Sequence, residues 1–136
     1  FNFNQGTTNA PLYTSHKNIR QDVKQNLMNK FNWIENKDFE DYIKTLETYK
    51  FCICPPGRGI DTHRCWEALM VGTIPIVLSS PLNSLYINLP VLVVENLTSI
   101  TEEYLNRLYE KLIKTEYSFE KLYVHYWKNE LFKIKL

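Results

Sequence analysis

The chain has 136 residues, of which 44% are hydrophobic, enough to fill the core of a single compact domain. Its formal net charge of +1 argues against a nucleic-acid surface or an acidic tail, so no nucleic-acid partner is expected. No apolar run approaches the roughly 20 residues that a bilayer span needs, and no signal peptide opens the sequence. Composition therefore leaves the location open, whether Golgi or cytoplasmic.

Strand and helix patterns alternate through the first part of the chain. Residues 1–4 predict the end of a strand, and 5–11 predict a polar turn that is either an ordinary loop or a ligand contact. A helix capped by its preceding serine is expected over about 16–30, a short strand over 31–34 and a second helix over 38–49. The second helix begins with three acidic residues, Asp38, Glu40 and Asp41, which suit the helix dipole. We expect them to form a solvated helix start rather than a pair of catalytic carboxylates.

The central stretch, residues 50–79, predicts a strand followed by a glycine loop. Residues 51–54 are a short apolar run, typical of a strand covered on both faces in a parallel sheet. The prolines at 55–56 end this strand because neither can donate to a ladder. Gly57 and Gly59 then allow a tight turn and a close approach of the backbone to a ligand.

A helix and a second inner strand follow the loop. Asp61 or Thr62 is expected to cap the helix, and Gly72 to end it. Residues 74–78 are apolar and branched, which predicts another buried strand. The result is a βαβ unit with its glycine loop at the carboxyl end of the first strand, where open α/β sheets bind ligands.

The last part of the chain continues the alternation. A loop with one helical turn is expected over 81–89, a third inner strand over 91–94 and a helix from Thr101 through 113. Ser118 is expected to cap a final aromatic-rich helix through 131. The fold class is therefore α/β: a Rossmann-like parallel sheet of about four or five strands, flanked by helices on both faces.

Cationic side chains and helix geometry around the glycine loop predict an anion site. Arg58, His63 and Arg64 lie beside a helix N-terminus, whose unpaired N–H groups carry about half a positive charge. Arg64 and Glu67 are three residues apart and share one helical face. This spacing suits a ligand with phosphate at one end and ribose hydroxyls at the other, but it equally suits an ordinary surface ion pair. Two further candidates follow the second strand, at the same edge of the sheet: Ser79 and Ser80.

The three cysteines do not suggest a disulfide framework, because their number is odd. Cys52 and Cys54 alternate along a strand, which places both thiols on one face. Together with His63 and Cys65 they raise the question of zinc, but Cys-x-Cys on an extended strand is poor clamp geometry. The sequence favours small buried hydrophobes, and no metal or cofactor is predicted.

The ordered motifs resemble those of exostosin-like glycosyltransferases. The resemblance covers the Pro-Gly-Arg-Gly loop, the Arg-x-x-Glu-Ala-Leu helix and the Gly-x-Ile-Pro-Ile-Val strand of residues 56–77. It continues through the Leu-Pro-Val-Leu-Val-Val segment at 89–94, and through Tyr126 and Trp127. Residues 1–9, FNFNQGTTN, resemble the family's first strand and turn in this domain, so the likeness spans most of the chain.

The resemblance implies the C-terminal, donor-binding half of a GT-B fold, in which two Rossmann-like domains face each other. Such an enzyme transfers a sugar from a nucleotide-sugar, such as a UDP-sugar, to a glycan or other hydroxyl acceptor, here with inversion and without a metal. By match of position, Arg64 would face the donor diphosphate, Glu67 the ribose, and Arg58 the diphosphate or the sugar. The absence of an Asp-x-Asp motif fits metal independence.

The resemblance also implies a preceding domain. In the family, that half carries the acceptor site and often the catalytic base, and the present residues do not include it. The sequence opens on Phe1 rather than Met, which is compatible with an upstream region. No catalytic base is therefore assigned, and turnover is not predicted for this chain alone.

Two other functional classes fit the same residues. One is a non-catalytic module that binds a nucleotide or a phosphorylated ligand in the same cleft. The other is a flavodoxin-like regulatory domain, but such regulators rely on an acidic pocket, which the cationic residues 58, 63 and 64 argue against. Turnover of nucleotide-sugars separates an enzyme from a binding module.

Overall fold

The computed structural model describes residues 19–32 and 38–134. They contain five α-helices and three strands. The helices are α1 (Ile19–Leu27), α2 (Phe39–Leu46), α3 (His63–Met70), α4 (Glu102–Leu112) and α5 (Val124–Lys133), and the strands are β1 (Phe51–Ile53), β2 (Ile74–Leu78) and β3 (Leu92–Val94). Short 3₁₀ turns lie at Asn83–Tyr86, Leu97–Ser99 and Glu120–Leu122. In the described part of the chain, no helix is long and apolar enough to cross a membrane.

The three strands form one parallel sheet in the order β1-β2-β3. Phe51 aligns with Ile74 between the first pair of strands, and Leu78 aligns with Val94 between the second. All connections are therefore crossovers, as parallel strands require. The expected fold class, a Rossmann-like α/β sheet flanked by helices, is confirmed, although the described residues contain three strands rather than the four or five expected.

Alternate residues of β2 point into two separate cores. Ile76 is fully buried in a cluster on the α1 and α4 face, whereas Val77 belongs to a cluster on the α3 face. This is the period-two alternation of a strand whose two faces are both covered. The first cluster consists of Val23, Leu27, Ile53, Ile76, Leu97, Ile100 and Leu105, and the second of Cys54, Cys65, Leu69, Val77, Tyr86 and Leu89.

Helix boundaries largely follow the expected signals. Asp38 caps α2 by accepting a hydrogen bond from the Asp41 amide, and Thr101 caps α4 by accepting from the Tyr104 amide. Gly72, just beyond α3, has a φ of +80°, the left-handed conformation that ends a helix. Thr62 occupies the N-cap position of α3, but its side chain makes no capping bond.

Two expectations about element boundaries need correction. The final helix does not start at Ser118, whose amide instead donates to the Asn88 carbonyl; α5 begins at Val124. The reason is the turn at Glu120–Leu122, where the Lys121 ammonium donates to the carbonyls of Ser84, Leu85 and Ile87 and holds the chain off the helical path.

The expected strand over 31–34 is wrong where the structure describes it. The Phe31 amide donates to the Leu27 carbonyl at 3.0 Å, which continues the turn that ends α1, and Asn32 lies in no strand. Residues 33–34, the expected strand at 1–4 and the polar turn at 5–11 lie outside the described residues, as does Ser15, the expected cap of α1.

Candidate active site

The glycine loop runs from Cys54 to Thr62 and connects the end of β1 to the start of α3. Its tightest point is closed by a bond from the Gly57 amide to the Gly59 carbonyl, at 3.0 Å. Pro55 and Gly57 are buried, whereas Arg58 and Gly59 are exposed. The loop therefore has a packed base and a tip that presents backbone and one guanidinium to solvent.

Arg64 and Glu67 lie on one face of α3 and contact the same tyrosine. The Arg64 guanidinium carbon lies 5.3 Å from the centre of the Tyr42 ring, a cation–π contact. The Tyr42 hydroxyl donates to Glu67 Oε2 at 3.1 Å. Burial raises the pKa of Tyr42 and outweighs the opposing charge of Arg64, so this hydroxyl keeps its proton and its role as donor.

The surface ion pair that the spacing also allowed does not form. The ion pairs within residues 19–32 and 38–134 join Lys44 to Glu40, Lys114 to Glu110 and Lys133 to Glu130, and none includes Arg64 or Glu67. Both side chains are half-buried, and each contacts Tyr42 rather than the other. Because neither is taken up in an ion pair, each retains bonding capacity for a ligand.

A cavity of about 200 Å³ lies along β1, next to this pair. Apolar and aromatic side chains form most of its wall, and Arg64 contributes a charged group. Among the described residues, Glu67 contacts Tyr42 but is not part of the cavity wall. Its lining is Phe31, Asn32, Tyr42, Leu46, Tyr49, Phe51, Cys52, Ile53, Arg64, Ile76 and Leu105.

Ser79 and Ser80 lie at the carboxyl end of β2, as expected, and both are engaged in a local turn. Ser79 Oγ accepts from the Asn83 amide group at 3.2 Å, and Ser80 Oγ accepts from the Leu82 backbone at 3.2 Å. Each hydroxyl still has its own proton to donate. They line a small cavity together with Pro56 and Ile60 of the glycine loop.

His63 is the first residue of α3 and is exposed, as is Arg58. The structure therefore divides the predicted site residues into two groups around the loop. Arg64 and Glu67 meet at Tyr42 on one side, and the two serines share a cavity wall with the loop on the other. Arg58, Gly59 and His63 lie on the exposed surface between the loop tip and the helix start.

The thiols lie beneath this surface. The Cys52 and Cys54 sulfurs are 3.9 Å apart on one face of the strand end, as the alternation predicted. The hydrogen bond from Cys54 lowers the pKa of Cys52 against the effect of burial, and the charge of Arg64 acts in the same direction. Burial raises the pKa of Cys54 well above its ordinary value. Cys65 is buried in the α3-side core, consistent with an apolar role.

Sequence reasoning missed three contributors. Tyr42 was visible only as an aromatic residue within the predicted helix over 38–49, although a half-buried tyrosine hydroxyl usually finds a partner. Arg20, on α1, donates a hydrogen bond to the Pro56 carbonyl of the loop. The two residues are 36 positions apart, and no sequence pattern predicted this contact. Asp61 does not cap α3; it accepts from the Trp66 indole at 3.0 Å and from the Tyr86 hydroxyl at 3.2 Å.

Parallel strands, a glycine loop at the carboxyl end of β1 and a helix that begins just beyond it define a Rossmann-like α/β domain with its candidate site at the usual edge of the sheet. The family model described as the Exostosin GT47 domain matches residues 3–101, well over half of the chain. The chain belongs to this exostosin family of glycosyltransferases.

Proposed function

We propose that this chain binds the nucleotide-sugar donor of a glycosyltransferase with the surface formed by the glycine loop and the start of α3. The observation that carries the proposal is the pair Arg64 and Glu67, which lie one helical turn apart, both contact Tyr42 and form no ion pair with each other. A planar guanidinium suits a diphosphate, and a carboxylate suits ribose hydroxyls. Arg58 and His63 add cationic or donor side chains, and Gly59 lets the backbone approach the ligand. Ser79 and Ser80 offer hydroxyl donors.

The proposed reaction is transfer of the sugar to a hydroxyl of a glycan or another acceptor, with inversion. The acceptor oxygen attacks the anomeric carbon while a base takes its proton, and the nucleoside diphosphate leaves. The arginines and the N-terminus of α3 stabilise the charge that develops on the leaving group. These fixed cations would stabilise the diphosphate charge that a bound metal stabilises in other enzymes, which supports a metal-independent reaction.

The domain organisation is part of the proposal. A GT-B enzyme places its acceptor site in a facing domain, and we propose that the present residues form the donor half. The catalytic base is not assigned within them. A nucleotide-sugar donor and a glycan or similar hydroxyl compound are accordingly the partners we expect for the whole enzyme.

Calorimetric titration tests the proposal. The chain is expected to bind one of UDP, GDP and ADP in preference to the other two, with UDP our candidate. Arg64→Ala and Glu67→Ala are each expected to weaken that binding by about 1–3 kcal/mol, the range for charge-assisted bonds. Arg64→Ala should spare uridine, which lacks phosphate, whereas Glu67→Ala should weaken uridine and UDP alike.

A matched pair of controls lies on α2. Lys44→Ala and Glu40→Ala remove the same charges from an exposed ion pair outside the proposed site, and we expect them to leave UDP affinity unchanged. Full affinity in both Arg64→Ala and Glu67→Ala, with the fold intact, refutes the assignment. Turnover of a panel of nucleotide-sugars then separates an enzyme from a module that binds without reaction.

A further inference from the structure

Arg20 crosses from α1 to the glycine loop and binds two of its carbonyls. Its Nε donates to the Pro56 carbonyl at 2.8 Å, and its Nη2 donates to the Pro55 carbonyl at 3.4 Å. Neither proline has an N–H with which to anchor this part of the loop through its own backbone donors. The half-buried guanidinium therefore ties the loop to α1 through the carbonyl oxygens.

The position of the Arg20 guanidinium explains why one of the two loop glycines has no side chain. A Cβ built on Gly57 would lie 2.8 Å from Arg20 Nη2, so the end of the Arg20 side chain would have to move and would give up its bond to the Pro55 carbonyl. The φ of Gly57 lies outside the left-handed range, so its backbone conformation does not by itself require glycine. At Gly59, a Cβ would meet only the Asp61 carbonyl, at 3.5 Å, an ordinary contact. The missing side chain at Gly57 thus leaves room for Arg20, whereas the one at Gly59 does not.

Arg20 also lies close enough to Arg64 for the two charges to interact. Burial lowers the pKa of Arg20, and the positive charge of Arg64 lowers it further. Two guanidinium charges near each other repel in the free protein, and an anionic ligand between them would relieve that repulsion. The contacts of Arg20 with the Pro55 and Pro56 carbonyls, rather than this repulsion, carry the inference.

We propose that Arg20 is a positioning residue: it holds the segment 55–57 in the conformation that presents the loop to the donor diphosphate, and Gly57 leaves room for it. The ligand part of this inference rests on the proposed function. The structural part, the dependence of Gly57 on Arg20, stands independently of any ligand.

A double-mutant cycle tests the structural part without ligand. Gly57→Ala is expected to lower the folding equilibrium constant, measured by urea unfolding, about tenfold in the presence of Arg20 and less than about twofold in an Arg20→Ala background. Gly59→Ala is the control, and its effect should be equal in both backgrounds. Equal effects of Gly57→Ala in the two backgrounds overturn the inference.

UDP affinity, measured at a temperature where every variant is folded, tests the positioning role. Arg20→Ala should weaken UDP binding about tenfold and uridine binding less than about threefold, and Arg20→Lys should recover part of the loss. Unchanged UDP affinity in folded Arg20→Ala means that Arg20 only stabilises the fold, and it overturns the positioning role. If the unaltered chain binds no nucleoside diphosphate, the proposed function fails, while the unfolding cycle still decides whether Arg20 braces the loop.

Discussion

Tyr42 is the side chain on which the proposed site depends most directly. It contacts both charged residues of the pair, with its ring under Arg64 and its hydroxyl bonded to Glu67. An aromatic residue of α2 thereby becomes part of a polar arrangement on α3. Its helical position was predicted from the sequence, but the polar groups that its hydroxyl meets were not.

Two substitutions separate the ring from the hydroxyl. Tyr42→Phe keeps the ring under Arg64 and removes the donor to Glu67, so it should lower the free energy of unfolding by about 1 kcal/mol. Tyr42→Leu also removes the cation–π contact and should cost about 0.5–1 kcal/mol more. Urea unfolding measures both. If the two variants are equally stable, the ring makes no contribution through Arg64.

Cys65 makes the stability of the fold sensitive to alkaline pH. Burial raises the pKa of its thiol from 9.0 to about 12, so the folded chain holds this proton when the unfolded chain has lost it. The contribution of Cys65 is fully present below pH 9 and is lost as the pH rises from 9 towards 12, at about 1.4 kcal/mol per pH unit.

The measurement is the free energy of unfolding at several pH values over that window. Cys65→Ala removes the titrating group, and its stability should fall less steeply with pH than that of the unaltered chain. Parallel curves for the two proteins would show that the Cys65 thiol does not titrate differently in the folded and unfolded states.

Among the helices, the caps differ in a way that bears on the site. Thr101 caps α4 with its hydroxyl, whereas Thr62, at the same position of α3, makes no such bond. The first turn of α3 therefore keeps its backbone donors free of the Thr62 side chain. A side chain already bonded there would compete with an incoming anion for the same N–H groups.

Alanine at the two threonines should show this difference. Thr101→Ala is expected to lower the free energy of unfolding by about 1 kcal/mol, the usual worth of a capping hydroxyl. Thr62→Ala serves as the matched control and should cost less than about 0.5 kcal/mol, since it loses no capping bond. Thermal or urea unfolding decides the point, and equal losses would contradict the observed cap geometry.

The sequence was informative about elements wherever local chemistry decides the outcome. The helix starts at Asp38 and Thr101, the stop at Gly72 and the strand Ile74–Leu78 were all predicted from neighbouring residues. The predicted helix start at Ser118 was wrong because a lysine three residues later binds carbonyls of another loop. A contact of that range outweighs a local capping preference, and no local pattern reveals it.

The site was predictable to a similar extent. The loop, the shared helical face of Arg64 and Glu67, and the position of Ser79 and Ser80 followed from spacing and from the edge of the sheet. Arg20 did not, because its importance arises only when α1 packs beside a loop 36 residues away. Tertiary packing, rather than residue type, makes it part of the arrangement.

In the molecule as a whole, Thr73 links two layers. Its hydroxyl, fully buried at the entrance to β2, donates to the Leu46 carbonyl at the end of α2 at 2.7 Å. That bond fixes α2, and with it Tyr42, relative to the central strand. It thus connects the sheet to the face of the proposed site.

Thr73→Val keeps the shape of the side chain and removes the bond, while the Leu46 carbonyl keeps the bond that it accepts from the Tyr49 amide. We expect a loss of about 0.5–1.5 kcal/mol in the free energy of unfolding. Thr115→Val is the control, because its hydroxyl donates to the Lys111 carbonyl on an exposed surface; it should change stability by less than about 0.5 kcal/mol. Unfolding curves for both variants in urea provide the comparison, and a Thr73→Val protein as stable as the original would contradict this role.

The indole of Trp66 is bonded to Asp61, the residue that joins the glycine loop to α3, and its ring meets that of Trp127 edge-on at 6.4 Å. Indole emission responds to the charge and solvent around the ring. The protein therefore carries its own optical reporter beside the loop, and a ligand that shifts Asp61 should change the fluorescence without any added dye.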